Sequence, residues 1–209
     1  MKKVSIYIFV LFLISFTIGI ILVVSYHEKR INLKLRKQLK ECKINQEKLK
    51  KKLITYQNPI DEEAKKKLIK WILRYEKAYP QLAKDVVEYL IQNSSHPLLT
   101  LSIIAVESSF VVQATSKTGA IGLMQVQPQY WLKELKKKRI VNEKKELYDP
   151  IKNIQAGELI LDQYLKDCKT LEGAISKYFT GSCRSRKSNK YKFKVLKTLG
   201  ELYLIVSNN

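Results

Sequence analysis

One stretch of the chain cannot face water on any side. At helical spacing, Leu98, Leu101, Ile104 and Ala105 share one face, and Leu99, Ile103 and Val106 widen it until the helix is nearly apolar all round. Such a helix is stable only when other elements enclose it. Ser95-His96-Pro97 supplies its start, with a serine in the cap region and proline near the first helical position. Its last residue is Glu107, so a carboxyl group hangs from the end of the most apolar element. The surrounding sequence is also helical in period, over 61–77, 80–92, 150–168, 170–180 and 190–206. No convincing strand pattern appears. The expectation is an all-α domain of six or seven helices packed around the 97–107 helix.

The chain before this domain has another character. Residues 4–24 contain no charged side chain. A helix of that length crosses a hydrocarbon core of roughly 30 Å. Cleaved signal peptides usually have a shorter apolar region, about 7–15 residues, with a small-residue cleavage site. Here no alanine precedes Ala64, and no cysteine follows the run closely enough for lipoprotein attachment. Residues 1–26 therefore read as an uncleaved transmembrane anchor. Residues 27–57 read as a basic helical stalk. Leu35, Leu39, Cys42, Gln46, Leu49, Leu53 and Tyr56 recur at spacings of four and three, which suits a short coiled coil. Its 11 basic residues outnumber 3 acids and repel across any interface, which favours a solvated spacer over a dimer crosslinked at Cys42. Asn58-Pro59 breaks the helix and sets the start of the main domain, 58–209.

The formal net charge is +20. That charge suits an acidic partner without selecting one. No nucleic-acid-binding motif is present, and a membrane anchor argues against nucleic acid. Cys42, Cys168 and Cys183 are too few for a disulfide scaffold and lack zinc-site spacing. Outside the cytosol Cys168 and Cys183 can pair, and the sequence leaves both states open, a bridge or two unrelated thiols.

Two physical effects should raise the pKa of Glu107. Apolar neighbours disfavour the carboxylate, and so does the negative end of the helix dipole. A carboxyl protonated near neutral pH can give its proton to a glycosidic oxygen as general acid. On position alone, however, a glutamate at a helix end more often simply reaches water. Gly119 and Gly122 permit tight backbone turns close to the acid. Gln125 can both donate and accept, which suits sugar hydroxyl and acetamido groups. Met124 offers a soft apolar surface for a sugar face. Tyr178 can hydrogen-bond Glu107 and orient it, or simply pack in the core.

Over roughly 75 residues these segments resemble the catalytic domain of the soluble lytic transglycosylase (SLT) family, which has the goose-type lysozyme-like fold. Glu107-Ser108-x-Phe110 is similar to the family's Glu-Ser-x-Phe. Ala114-x-Ser116-x-x-Gly119-Ala120-x-Gly122-Leu123-Met124-Gln125, followed by Pro128, is similar to its second motif. Asn153-Ile154-x-Ala156-Gly157 resembles a third, helical motif, and Tyr178 with Gly181 resembles a fourth, Ala-Tyr-Asn-Ala-Gly. The resemblance reverses the reading of Glu107 as a solvated helix end: it implies that Glu107 is the catalytic acid/base and that Ser108 helps to position it. Two departures stand out. Val111-Val112 replaces the family's Asn-Pro, and Phe179 replaces the asparagine beside the tyrosine.

A retaining glycosidase needs a second carboxylate about 5 Å from the first, and an inverting one about 6.5–9.5 Å. Glu134, Glu143 and Glu146 lie among lysines and look solvated. A lone acid fits the chemistry that the resemblance implies: Glu107 protonates the muramoyl–glucosamine β-1,4 bond, the substrate acetamido group stabilises the cation, and a 1,6-anhydro ring closes. This needs no metal and no cofactor. Peptidoglycan glycan strands are the implied substrate. The alternatives are a muramidase and a non-catalytic wall-binding scaffold in an envelope assembly. A count of positive charge beside residues 4–24 would put the domain in the cytosol. The implied substrate lies on the other side, so the expected location is the cytoplasmic membrane, single-pass, with the domain outside.

Overall fold

The structure is a computed structural model that describes residues 26, 28–41, 44 and 60–207. The expected anchor at 4–24, most of the stalk seam and the break at Asn58-Pro59 lie outside these residues. Among the described residues, no helix is long and apolar enough to cross a membrane. The chain divides into two units, Met1–Leu49 and Lys50–Asn209. In the first, residues 28–41 are helical, with Leu33, Leu35 and Leu39 exposed.

The second unit is all-helical among its described residues. Its α-helices are α1 (Glu62–Ile72), α2 (Pro80–Asn93), α3 (Pro97–Glu107), α4 (Pro128–Lys137), α5 (Pro150–Cys168), α6 (Leu171–Thr180) and α7 (Asn189–Ser207). Short 3-10 turns at Lys144–Tyr148 and Arg186–Ser188 precede α5 and α7. Prolines start four of these helices, where the missing N–H costs nothing. Asp61, Asp149 and Thr170 cap α1, α5 and α6 with side-chain oxygens that accept from backbone N–H groups. Gly181 ends α6 in the left-handed conformation.

The helix α3 is the central element that its composition demands. Every residue from Leu98 to Ala105 is buried. Its two polar members are satisfied internally: Ser102 Oγ donates to the Leu98 carbonyl at 2.6 Å, and Thr100 Oγ1 donates to Glu158 at 3.0 Å. The long final helix α7 packs along α3 through Tyr191, Val195, Leu199 and Leu202, spaced four, four and three apart. The helices α5 and α6 pack against each other, and Cys168 at the end of α5 is bonded to Cys183 just beyond α6.

One boundary and one element differ from the periodicity. The helix expected over 61–77 ends at Ile72. Beyond it the chain turns so that Tyr75 packs on Trp71 and Phe110, with ring centroids 5.3 and 4.9 Å away. Tertiary ring packing here overrides local helical preference. The helix α4 was not predicted, because its lysines hide a short amphipathic pattern that buries only Leu135 fully.

Candidate active site

The central helix carries Glu107 to the point where the chain must reverse. The Ser108 N–H caps α3 on the Ile104 carbonyl at 3.1 Å, and the Ser108 hydroxyl donates to the same oxygen at 3.2 Å. Ser109 and Phe110 then both adopt left-handed backbone conformations, at φ 51° and 64°. Such conformations cost non-glycine residues on the order of 1 kcal/mol or more each. Burial of Phe110 between Trp71 and Tyr75 holds the reversal in place.

The carboxyl of Glu107 is surrounded by packed protein, although the residue keeps part of its surface open to solvent. Burial pushes its pKa up to about 7, against an opposing hydrogen bond from Tyr191. Tyr191 Oη donates to Glu107 Oε1 at 2.5 Å. Burial, reinforced by the charge of Glu107, holds the Tyr191 phenol well above its usual range, so it remains a donor. The ring of Tyr191 is in turn stacked on Phe179, with centroids 4.6 Å apart and planes 11° from parallel. Phe179, the residue in the asparagine position of the fourth motif, is thus a wall against the tyrosine that holds the acid.

A cavity of about 470 Å³ adjoins this arrangement. Gln125, Tyr130, Trp131, Tyr164, Tyr178 and Phe179 are among its lining residues. Trp131, Tyr164 and Tyr178 meet edge to face along one wall. Glu107 does not line the cavity itself. It lies beside it, close enough that its charge raises the pKa of Tyr178, whose main cause is burial.

The glycine-punctuated loop after the glutamate is clamped from below by α5. Asn153, fully buried, accepts from Met124 N–H at 2.8 Å and donates to the carbonyls of Ile121 and Leu147 at 2.9 and 2.7 Å. Gly122 sits at φ 78°, and a Cβ there would lie 2.3 Å from the Asn153 amide nitrogen. One helical turn further along α5, Gly157 makes room for Met124: a Cβ would lie 2.3 Å from its sulfur. The second and third motifs are therefore two halves of one contact.

This geometry corrects several expectations. Met124 is fully buried against Gly157 and offers no surface to a sugar. It acts through its backbone, whose carbonyl accepts from Tyr178 Oη at 2.9 Å. Tyr178 does not bond Glu107; that position belongs to Tyr191, because α7 passes closer to the end of α3 than α6 does. Ser108 bonds its own helix. Gln125 does line the cavity, in a left-handed conformation at φ 49°. Its amide nitrogen donates to the carbonyls of Gly122 and Ala114, at 3.0 and 3.3 Å. That orients its amide oxygen as the group left for a ligand. Sequence reasoning missed Tyr191, which reads simply as the first member of the buried stripe of α7. It also gave Asn153 no role, although a polar residue on the buried face of α5, four before a glycine, was a usable signal.

Burial and the Tyr191 hydrogen bond account for the shift of Glu107, with no carboxylate among its causes, although Glu107 and Glu158 both raise the pKa of Tyr178. Glu158 is held at Thr100, seven residues or about 10 Å back along α3, and burial raises its pKa too. Among the described residues, no cluster of His, Cys, Asp or Glu could hold a metal ion.

No curated protein matches the chain. Among solved structures it resembles an inactive mutant of the lytic transglycosylase Slt from Pseudomonas aeruginosa, with 24% sequence identity and a TM-score of 0.45. That similarity covers 65% of this chain and 23% of the other, so the chain spans about a quarter of that protein's length. The Transglycosylase SLT domain family matches residues 87–199. That match takes in α3, the glycine loop, Asn153, Tyr178 and Tyr191, and covers more than half of the chain, which therefore belongs to the transglycosylase SLT domain family.

Proposed function

We propose that this chain is a membrane-anchored peptidoglycan lytic transglycosylase. It cleaves the β-1,4 bond between N-acetylmuramic acid and N-acetylglucosamine, with Glu107 as the single acid/base. The observation that carries this reading is the Glu107 carboxyl, pushed to about 7 by burial and held by Tyr191 beside an aromatic-lined cavity. Near neutral pH a large fraction of such a group is protonated and can donate to the glycosidic oxygen.

In the first step the proton moves from Glu107 to that oxygen as the bond to the muramoyl carbon breaks. The substrate acetamido oxygen stabilises the cationic carbon. Glu107, now a carboxylate, takes the proton of the 6-hydroxyl, whose oxygen attacks the same carbon and closes the 1,6-anhydro ring. An attacking group already attached to the sugar has a large proximity advantage over water. That no second carboxylate contributes to the shift of Glu107 supports ring closure over hydrolysis, which needs one to activate water or to act as nucleophile.

The Cys168–Cys183 bond supports a location outside the cytosol, where disulfides persist. The uncharged run at 4–24 supports the anchor. The test is mass spectrometry of purified sacculi digested by the full chain. The expected products are 1,6-anhydromuropeptides, lost by at least about a hundredfold in Glu107→Gln. Reducing-end products, heavier by one water, would make the protein a muramidase. A reporter fused after Asn209 that works only in the cytosol would overturn the location.

A further inference from the structure

Between Glu172 and Glu201 the chain has no acidic residue, yet it has eight basic ones. Two of the eight are paired: Lys177 with Asp167 at 2.7 Å, and Lys197 with Glu201 at 3.8 Å. The other six, Arg184, Arg186, Lys187, Lys190, Lys192 and Lys194, form no ion pair with any described residue. All but the half-buried Lys192 are exposed. Six like charges within eleven residues of chain favour an anionic partner. The fold holds them together. Cys183 is bonded to Cys168, and Ser176 Oγ donates to the Ser182 carbonyl at 2.7 Å while accepting from buried Ser188 at 2.8 Å.

Their position relative to the candidate site is fixed by the chain itself. Gly181 lines the cavity, and Arg184 is three residues on, at most about 11 Å away along an extended backbone. Lys190 and Lys192 flank Tyr191, the partner of Glu107. By chain length the strip therefore starts within about 11 Å of Gly181 and passes on both sides of the tyrosine that holds the acid, with Lys194 further along α7.

We propose that this strip binds the carboxylates of stem peptides on the same glycan strand whose sugar bond lies at Glu107. The inference rests on the wall-cleaving reading above and makes peptide-bearing strands the preferred substrate class. Each N-acetylmuramic acid bears its peptide next to the bond to be broken, so anionic groups hang at the edge of the cavity. Charge complementarity is the argument for this occupant. Individually exposed pairs contribute little, but several on one tethered ligand act together.

The test uses the full chain carrying Glu107→Gln, so that binding is read without cleavage. It is compared with the same chain also carrying Arg184→Gln, Arg186→Gln, Lys187→Gln and Lys190→Gln. Co-sedimentation is measured with peptide-bearing sacculi, with sacculi whose stem-peptide carboxylates have been capped as neutral amides, and with sacculi stripped of phosphate polymers. The expected result is roughly tenfold weaker binding of the neutralised chain to peptide-bearing sacculi. Capping the carboxylates should weaken the parent equally and the neutralised chain hardly at all. Equal loss by neutralisation on all three substrates overturns the proposal, as does no loss. Sensitivity to phosphate removal instead of carboxylate capping overturns it in favour of a phosphate polymer. A parent that binds none of the three overturns both this inference and the wall-cleaving reading. Anhydro products from the active chain, with unchanged binding on neutralisation, overturn this inference alone.

Discussion

A single proton on Glu107 links catalysis to stability. Its pKa is about 7 in the folded chain against an ordinary 4.5. A carboxyl raised by folding is at no disadvantage below the unfolded value and destabilises the fold increasingly as pH rises from 4.5 through 7. Glu107→Gln should therefore raise thermal stability at pH 8, by on the order of 3 kcal/mol, and change it little at pH 4. Melting curves at the two pH values check this. Tyr191→Phe removes the hydrogen bond that lowers the Glu107 pKa. The alkaline limb of the pH–rate profile should then move to higher pH, while the rate falls as the carboxyl loses its orientation. A profile that drops uniformly without moving would mean that Tyr191 serves only to pack. The sequence showed Glu107 through its chemistry and its neighbours. Tyr191 was not legible, because its partner is 84 residues away and only the packing of α7 on α3 joins them. Tyr178 misled for the same reason: motif position placed it near the acid, but side-chain direction sent its hydroxyl to a carbonyl instead.

Among the elements, the clamp of α5 on the glycine loop sets the shape of the cavity. Asn153→Ala would leave a buried N–H and two buried carbonyls without that partner. Each orphaned group costs about 1–3 kcal/mol, so the variant should lose at least several kcal/mol in denaturant unfolding, or lose its ordered loop. The helices themselves were mostly legible, because period, proline starts and caps agree along the chain. The start at Pro97 and the end at Glu107 follow from one proline and the last apolar turn. The end of α1 did not, since the ring cluster of Trp71, Tyr75 and Phe110 is assembled from separate segments. Met124 was misplaced because an apolar residue in a loop reads as surface until the gap at Gly157 is seen.

For the whole molecule, the Cys168–Cys183 bond closes a loop that contains α6 and, with it, Tyr178 and Phe179. A closed loop of about fifteen residues stabilises by roughly 3 kcal/mol through the unfolded chain. Cys168→Ser with Cys183→Ser should cost about that much in a denaturation midpoint, and a reductant should act on the parent but not on this variant. The contact between the glycine loop and α5 also bears on what can be transplanted. Gly122 to Gln125 cannot be grafted alone onto another helical scaffold, because the loop arrives needing an asparagine to receive it and, four residues later, a glycine to admit its methionine. For a designer, two motifs distant in sequence make one cassette, and it moves whole or not at all.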